Sequence, residues 1–439
     1  MVSQLRRVHR LSPLLRVWTT LLAIVAVSAF NFAEPLFELA EKGNLDAPSA
    51  LVALGALAAS LLVVFAVSQL WWARTGFRLD EEQIELHRGL LTTKVRTARY
   101  DRIQAVDVVE PFAARLFGLA AVRLEAAGGT ESGIEIAYLP RAEAEQVRAE
   151  ILHSVDHDEC DDHDLVTPIP TARSLAATAL RLSAVFALAW ASLPLWTGLG
   201  AATVLPVLIG LIPDMWKATD QSWRFTARLD TAGRPSVNLA YGLANRRRQT
   251  VPLERIHAVQ LAQPVLWRVF GWWTVSVAVA GYGREGNAVT GTSKLLPVGT
   301  FDQALEVLAV VTPFTPDEIE HFRPELTSPR RARWVSPVAW KRQSVTVTRG
   351  MVVVTNGRVS RRVGMAKVPH VQELTYKQGV LQRRLGLAHV RCDLVPGPVR
   401  VIARDLDAGR AWGLVEKLRA RELPELELTD GSGGITRGG

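Results

Sequence analysis

The chain of 439 residues has only two cysteines, Cys160 and Cys392. No disulfide framework can be built from so few, and the usage fits a reducing compartment. Aromatic residues make up 7% and fall mostly in apolar runs and core strands. The formal charge of +8 therefore lacks the aromatic–basic interleaving of a nucleic-acid surface, and no nucleic acid is expected as a partner. Catalytic signatures are missing too. There is no GxSxG elbow, no HExxH, no phosphate-binding loop and no GxGxxG between a strand and a helix. The chain is not expected to be an enzyme, and no catalytic residue, metal ion or cofactor is expected. The one cluster of metal-competent side chains lies in Val155–Asp164, around His153, His157, Cys160 and His163. Six carboxylates crowd the same stretch, so 156–173 reads as a solvated acidic linker.

Hydrophobic residues are plentiful, at 48%. Val17–Ala33 and Ala50–Trp72 contain no Lys, Arg, Asp or Glu. Each is long enough to cross a bilayer core, which takes roughly 20 apolar residues. A third apolar zone, Leu175–Trp216, is broken near Pro194–Gly200 into two shorter spans, with a re-entrant or interfacial hairpin as the alternative. Arg181 lies near its start, where a guanidinium can snorkel to the headgroups. A cleaved signal peptide is disfavoured, because the first run is longer than a signal core and a second span follows soon after.

Basic residues set the orientation. Arg6, Arg7, Arg10 and Arg16 precede the first span, whereas the following loop holds Lys42 among Glu34, Glu38, Glu41 and Asp46. Arg74, Arg78, Arg173 and Lys217 flank the other ends. The expectation is a multi-pass cell-membrane protein with four spans and both termini in the cytosol.

A phrase of about 35 residues recurs three times, opening at Gly89, Gly242 and Gly357. Arg102/Arg255, Ile103/Ile256, Pro111/Pro264, Arg115/Arg268 and Gly118/Gly271 share an offset of 153. Val371, Gln372, Arg383, Leu385 and Gly386 continue the match from the first copy at an offset of 268. Each copy reads as short alternating strands followed by one amphipathic helix, Arg141–His153 in the first. A small, strongly bent antiparallel sheet closed by a C-terminal helix is the pleckstrin-homology-like (PH-like) arrangement.

The phrases RIQAVDVVEPFAARLFGLAAVRL, RIHAVQLAQPVLWRVFGWWTVSV and HVQELTYKQGVLQRRLGLAHVRC resemble those of the bacterial PH-like (type 2) multi-pass membrane proteins, in their three-domain form. The third copy departs from the pattern with His370 in place of arginine and Gly379 in place of proline. The resemblance implies a multi-domain α+β membrane protein with two transmembrane helical hairpins and three PH-like domains. The expected layout is hairpin one at 14–72, PH-like domain one at 73–155, the acidic linker at 156–173 and hairpin two at 174–216. PH-like domain two follows at 221–312, a Pro/Arg linker at 313–336, PH-like domain three at 337–422 and a disordered tail at 423–439. It also implies a lipid bilayer as partner and a second membrane protein of the same family.

The repeated Arg115, Arg268 and Arg383 can each lie across the sheet and pair with a carboxylate or carbonyl, or meet an anionic headgroup. Gly118, Gly271 and Gly386 read as positive-φ or close-packing positions. Arg246, Arg247, Arg248, Arg361 and Arg362 are candidates for binding anionic phospholipid headgroups or a protein partner, against a plain solvated strand edge. The functional expectation is a membrane-anchored scaffold or accessory protein whose cytosolic PH-like domains bind lipid headgroups or partners. A component of a transport or export system is the alternative, disfavoured by the scarcity of ionisable residues in the spans, and a membrane enzyme is a lesser one.

Overall fold

The computed structural model describes residues 6–15, 65–66, 69–70, 72, 75–80, 82–88, 94–126, 134–155, 162–197, 205–231, 235–280, 292–320, 324–358 and 360–420. Most of the expected hairpin 14–72 and all of the tail 423–439 lie outside them. Contacts divide the chain into two compact units, and the division falls inside the second repeat between Glu254 and Arg255.

The first unit holds an antiparallel sheet of β1 (Arg6–Arg7), β2 (Gly76–Leu79), β3 (Gln83–Arg88) and β4 (Lys94–Arg99), in that order. A seven-stranded sheet follows, built from β5 (Ile103–Glu110), β6 (Leu119–Ala126), β7 (Ile134–Pro140), β8 (Asp162–Val166), β9 (Thr226–Asp230), β10 (Ser236–Tyr241) and β11 (Arg246–Pro252). Its order is β7-β6-β5-β11-β10-β9-β8. Strand alternation sends Phe77, Ile84, Leu86, Val106, Val122, Leu124 and Ile136 to one core, where Ala144, Val147 and Ile151 of the helix Arg141–Val155 meet them. The spacing of those three puts them on one helical face, and burying Val147 and Ile151 completely stabilises the repeat by about 1.5–3 kcal/mol each.

The arginines ahead of the first apolar run are engaged with the first repeat: Arg6 pairs with Glu150, while Arg7 and Arg10 lie over the Trp72 ring. The acidic linker 156–173 is partly a strand. Asp162–Val166 pairs antiparallel with β9, and Asp164 meets Arg228 at 2.9 Å. A sheet edge tolerates carboxylates because they stay in water, and an opposing arginine offsets their charge.

The segment expected as hairpin two forms the helices Thr171–Ala179, Leu182–Thr197 and Leu205–Ser222. Among the described residues no single helix is long and apolar enough to cross a membrane. Thr171–Ala179 and Leu182–Ser192 pass that test only as a pair, bent by 61° at the break next to Arg181. Phe186, Leu188 and Trp196 are 66%, 74% and 83% exposed.

The second unit repeats the plan. β12 (Ile256–Gln263), β13 (Trp273–Val279), β14 (Lys294–Gly299), β15 (Leu326–Thr327), β16 (Ser344–Thr348), β17 (Met351–Asn356) and β18 (Arg361–Lys367) form a sheet ordered β14-β13-β12-β18-β17-β16-β15. A smaller sheet comprises β19 (Glu373–Lys377), β20 (Leu387–Asp393) and β21 (Val401–Asp407). Val352, Val354, Ala366, Val390 and Val401 pack against Ala411, Leu414, Val415 and Leu418 of the helix Ala408–Arg419. Asp407 caps that helix through the amides of Gly409 and Arg410.

The Pro/Arg linker 313–336 is not the extended connector its composition suggests. It contains the helix Pro316–Glu320 and strand β15, and Arg331 reaches both the Gly386 carbonyl and the Asp407 carboxylate. Ser336 donates to Asp405 at 2.7 Å, and Gln343 and Gln382 also donate to that carboxylate. Asp405 is fully buried with φ +49°, a strained backbone that this set of donors holds in place.

Candidate functional site: the seams between repeats

In each unit one repeat continues the sheet of the next. In the first seam β5 of repeat one pairs with β11 of repeat two: Arg246 faces Glu110, Arg247 faces Val109 and Arg248 faces Val108. In the second seam β12 of repeat two pairs with β18 of repeat three: Arg361 faces Gln263, Arg362 faces Ala262 and Val363 faces Leu261. Glu110 and Gln263 are equivalent positions, as are Arg246 and Arg361. The two seams therefore share one register. Val108 and Leu261, equivalent apolar residues of the two seams, are 1% and 3% exposed.

The repeated arginine reinforces this pairing. Arg115 Nη1 donates to the Leu243 carbonyl at 3.0 Å, and Arg268 Nη2 donates to the Arg358 carbonyl. Both acceptors sit just after the glycine that opens the next repeat, Gly242 or Gly357. Those glycines have φ of +119° and +88°, and a Cβ on either would stand 2.0 Å from the carbonyl oxygen three residues on. Only glycine fits such a turn. Gly118, Gly271 and Gly386 adopt φ of +65°, +65° and +60°, ending the arginine turn before the next strand.

Helix Leu205–Ser222 enters the first seam directly. Asp220 Oδ1 accepts the amides of Leu243, Ala244 and Asn245 at 2.8, 2.7 and 3.3 Å. The same turn that Arg115 holds is thus tied to the end of the apolar helical segment. Arg248 forms an ion pair with Glu145 of the repeat-one helix, and Arg148 donates to Thr250 at 2.9 Å. Beneath them Asp107 is buried. Its burial raises its pKa to about 7 against the pull of Arg247, Arg123 and Arg148.

The second seam contains histidines instead. His257 of β12 and His370 stack with centroids 4.1 Å apart, tilted by 22°. Both Nδ1 atoms are buried without a hydrogen-bond partner among the described residues. Burial lowers both pKa values, His257 to about 4, and neighbouring positive charge adds to the shift.

The five arginines singled out in the sequence therefore lie on strands that another repeat occupies. Arg246, Arg361 and Arg362 remain exposed there, while Arg247 and Arg248 are half-buried. Asp107, Asp220 and His257 were not anticipated, and His370 stood out only as the residue that replaces the repeated arginine. Asp107 had one visible sign, a carboxylate set between the apolar pairs Ala105–Val106 and Val108–Val109.

The family model described as the bacterial PH domain matches residues 20–155, 174–310 and 293–421. The chain belongs to that family. A curated relative, the transmembrane protein YdbT of Bacillus subtilis strain 168, is 23% identical over 280 residues, covering 54% of this chain. This chain spans 57% of that relative's length.

Proposed function

We propose, from the premise that this is a bacterial PH domain protein, that the chain is a membrane-anchored scaffold whose PH-like modules bind protein partners by module-to-module contact. The observation that carries this reading is the seam formed twice, with one register and one arginine clasp. A module whose recurring turn grips its neighbour is suited to assembly. The name of the Bacillus relative and the exposed apolar side chains of Leu182–Thr197 support placement at a membrane. In this reading the hairpins 14–72 and 174–216 supply four spans, with both termini and all modules cytosolic.

A second reading, contact with anionic headgroups, draws on Leu116, Phe117, Val269 and Phe270, which are 70%, 59%, 83% and 53% exposed. They flank the arginine turns and could meet a bilayer surface. Affinity purification of the full chain from native membranes in mild detergent separates the two. Stoichiometric co-purifying protein is expected; anionic lipid enrichment without any stoichiometric protein would favour the second reading. Reporter fusions after Arg78, after Lys217 and at Gly439 should all report cytosol, and an external signal at Gly439 would sink the four-span topology.

A further inference from the structure

Strand β19 of repeat three is equivalent to β5 and β12, the strands that the following repeat covers. No fourth copy of the phrase occurs within these 439 residues, and among the described residues β19 pairs with β20 alone. Val106–Glu110 are all buried in repeat one, and β12 is nearly so. In β19, by contrast, Glu373 and Lys377 are exposed and Leu374, Thr375 and Tyr376 only half-buried. The arginine of this copy is idle as well. Arg383 is exposed, and its guanidinium has no partner among the described residues, whereas Arg115 and Arg268 each hold a carbonyl of the next module. Val380 and Leu381, beside it, are 80% and 50% exposed.

We propose that the open edge of β19 and the Arg383 turn form a docking site for a PH-like module of a different polypeptide, which adds a strand in the seam register and offers a turn carbonyl to Arg383. This rests on the scaffold reading above and names its site. Strand addition supplies main-chain hydrogen bonds, and the side chains facing the new strand select the partner. The other candidate occupant is repeat one of a second copy, whose edge strand β4 is equivalent to β11 and β18. Carrying the seam register over sets Lys94 opposite Lys377, Val95 opposite Tyr376 and Arg96 opposite Thr375. In both internal seams the basic residue at the Lys94 position, Arg247 or Arg362, faces an apolar partner, Val109 or Ala262. Opposed lysines on open edges repel, and they guard against endless head-to-tail pairing of the chain with itself. The matching partner strand carries an acidic or neutral residue opposite Lys377.

A photo-crosslinking residue at Thr375 of the full chain, in its native membranes, tests this. The expected adduct joins a different polypeptide, with the cross-linked peptide in a strand of a PH-like module. Arg383→Glu should cut its yield about fivefold or more, the loss expected for one charge-assisted hydrogen bond, while the melting temperature of the purified chain stays unchanged. An adduct to Lys94–Arg99 of a second copy would overturn the assigned occupant. An adduct outside any PH-like module, or a yield insensitive to Arg383→Glu, would overturn the site.

A second arm needs no partner. Lys377→Glu places a carboxylate opposite Lys94, so the purified variant should self-associate in light scattering under conditions where the wild type does not. Continued absence of association would refute the transferred register. A stable co-purifying protein with no Thr375 adduct would remove the docking edge and leave the scaffold reading standing. No stoichiometric partner in any purification would remove the scaffold reading itself.

Discussion

The first seam buries a carboxylate and the second half-buries a pair of imidazoles, yet the backbone register and the arginine clasp are the same in both. Pairing between repeats therefore comes from strand alternation, the glycine turn and the arginine. The buried polar residues are free to differ, and they give the seams opposite responses to pH. Asp107 has its pKa raised to about 7, so its contribution is fully present below the unfolded value near 3.8 and is lost as pH rises through 7. His257 has its pKa lowered to about 4, so its contribution is present above the unfolded value of 6.5 and is lost as pH falls towards 4. Between pH 5 and 8 the first seam weakens on going up and the second on going down.

The largest effect should come from breaking the shared element. Gly242→Ala and Gly357→Ala each force a side chain into a left-handed turn against a carbonyl 2.0 Å away. Each should cost about 3 kcal/mol, counting backbone strain and displacement of the turn. Hydrogen exchange should locate the damage in β11 for the first variant and in β18 for the second. Because Asp220 accepts three amides of the Gly242 turn, Gly242→Ala should also release the end of the helix Leu205–Ser222. Exchange in that helix unchanged from wild type would show that the turn and the helix are not coupled.

Asp107→Asn should sharpen the contrast. It removes the buried charge and keeps the shape, so it should stabilise the first unit at pH 8 by about 2 kcal/mol and have a smaller effect at pH 5. A thermal melt giving the same gain at both pH values would mean that Asp107 does not titrate in this window.

His257→Gln borrows the residue that repeat one carries at the equivalent position, Gln104. The imidazole pair is partly solvated, so screening reduces its contribution to about 1 kcal/mol between pH 8 and 5. The variant should lose the acid-side weakening of β18 exchange while retaining stability at pH 8. Persistence of that weakening in the variant would assign it to other groups.

The repeats and their PH-like plan were legible because they are written in local pattern: constant offsets, alternating strands, a helix stripe such as Ala144, Val147 and Ile151, and glycines at turns. Which edge meets which was not. Alternation fixes the face on which Val108 or Leu261 points, but it carries no information about the neighbour across an edge, so Arg246–Arg248 read equally well as a solvated strand or a lipid contact. The carbonyl partners of Arg115 and Arg268 lie 128 and 90 residues away, beyond any local signal. The linkers misled for a related reason. Their proline and charge content describes an unpartnered chain, whereas Asp164 and Arg331 find partners only once the modules have folded.

The smallest expected difference concerns the two clasps. Arg115→Ala and Arg268→Ala each remove one hydrogen bond from a charged donor to a carbonyl, worth about 1–2 kcal/mol. They should not cost the same. The pKa of Arg268 is lowered, first by desolvation and then by the neighbouring Arg361 and Arg342, so its replacement relieves repulsion as well as losing a bond. Arg268→Ala should therefore be the milder change at low salt. Repulsion between partly exposed arginines is screened as the Debye length falls from about 10 Å at 0.1 M to 3 Å at 1 M. Raising the salt should strengthen the wild-type second clasp, so that the cost of Arg268→Ala grows towards that of Arg115→Ala. Equal costs at both ionic strengths, read from the exchange rates of β11 and β18, would show that the arginine crowding at the second seam has no energetic consequence.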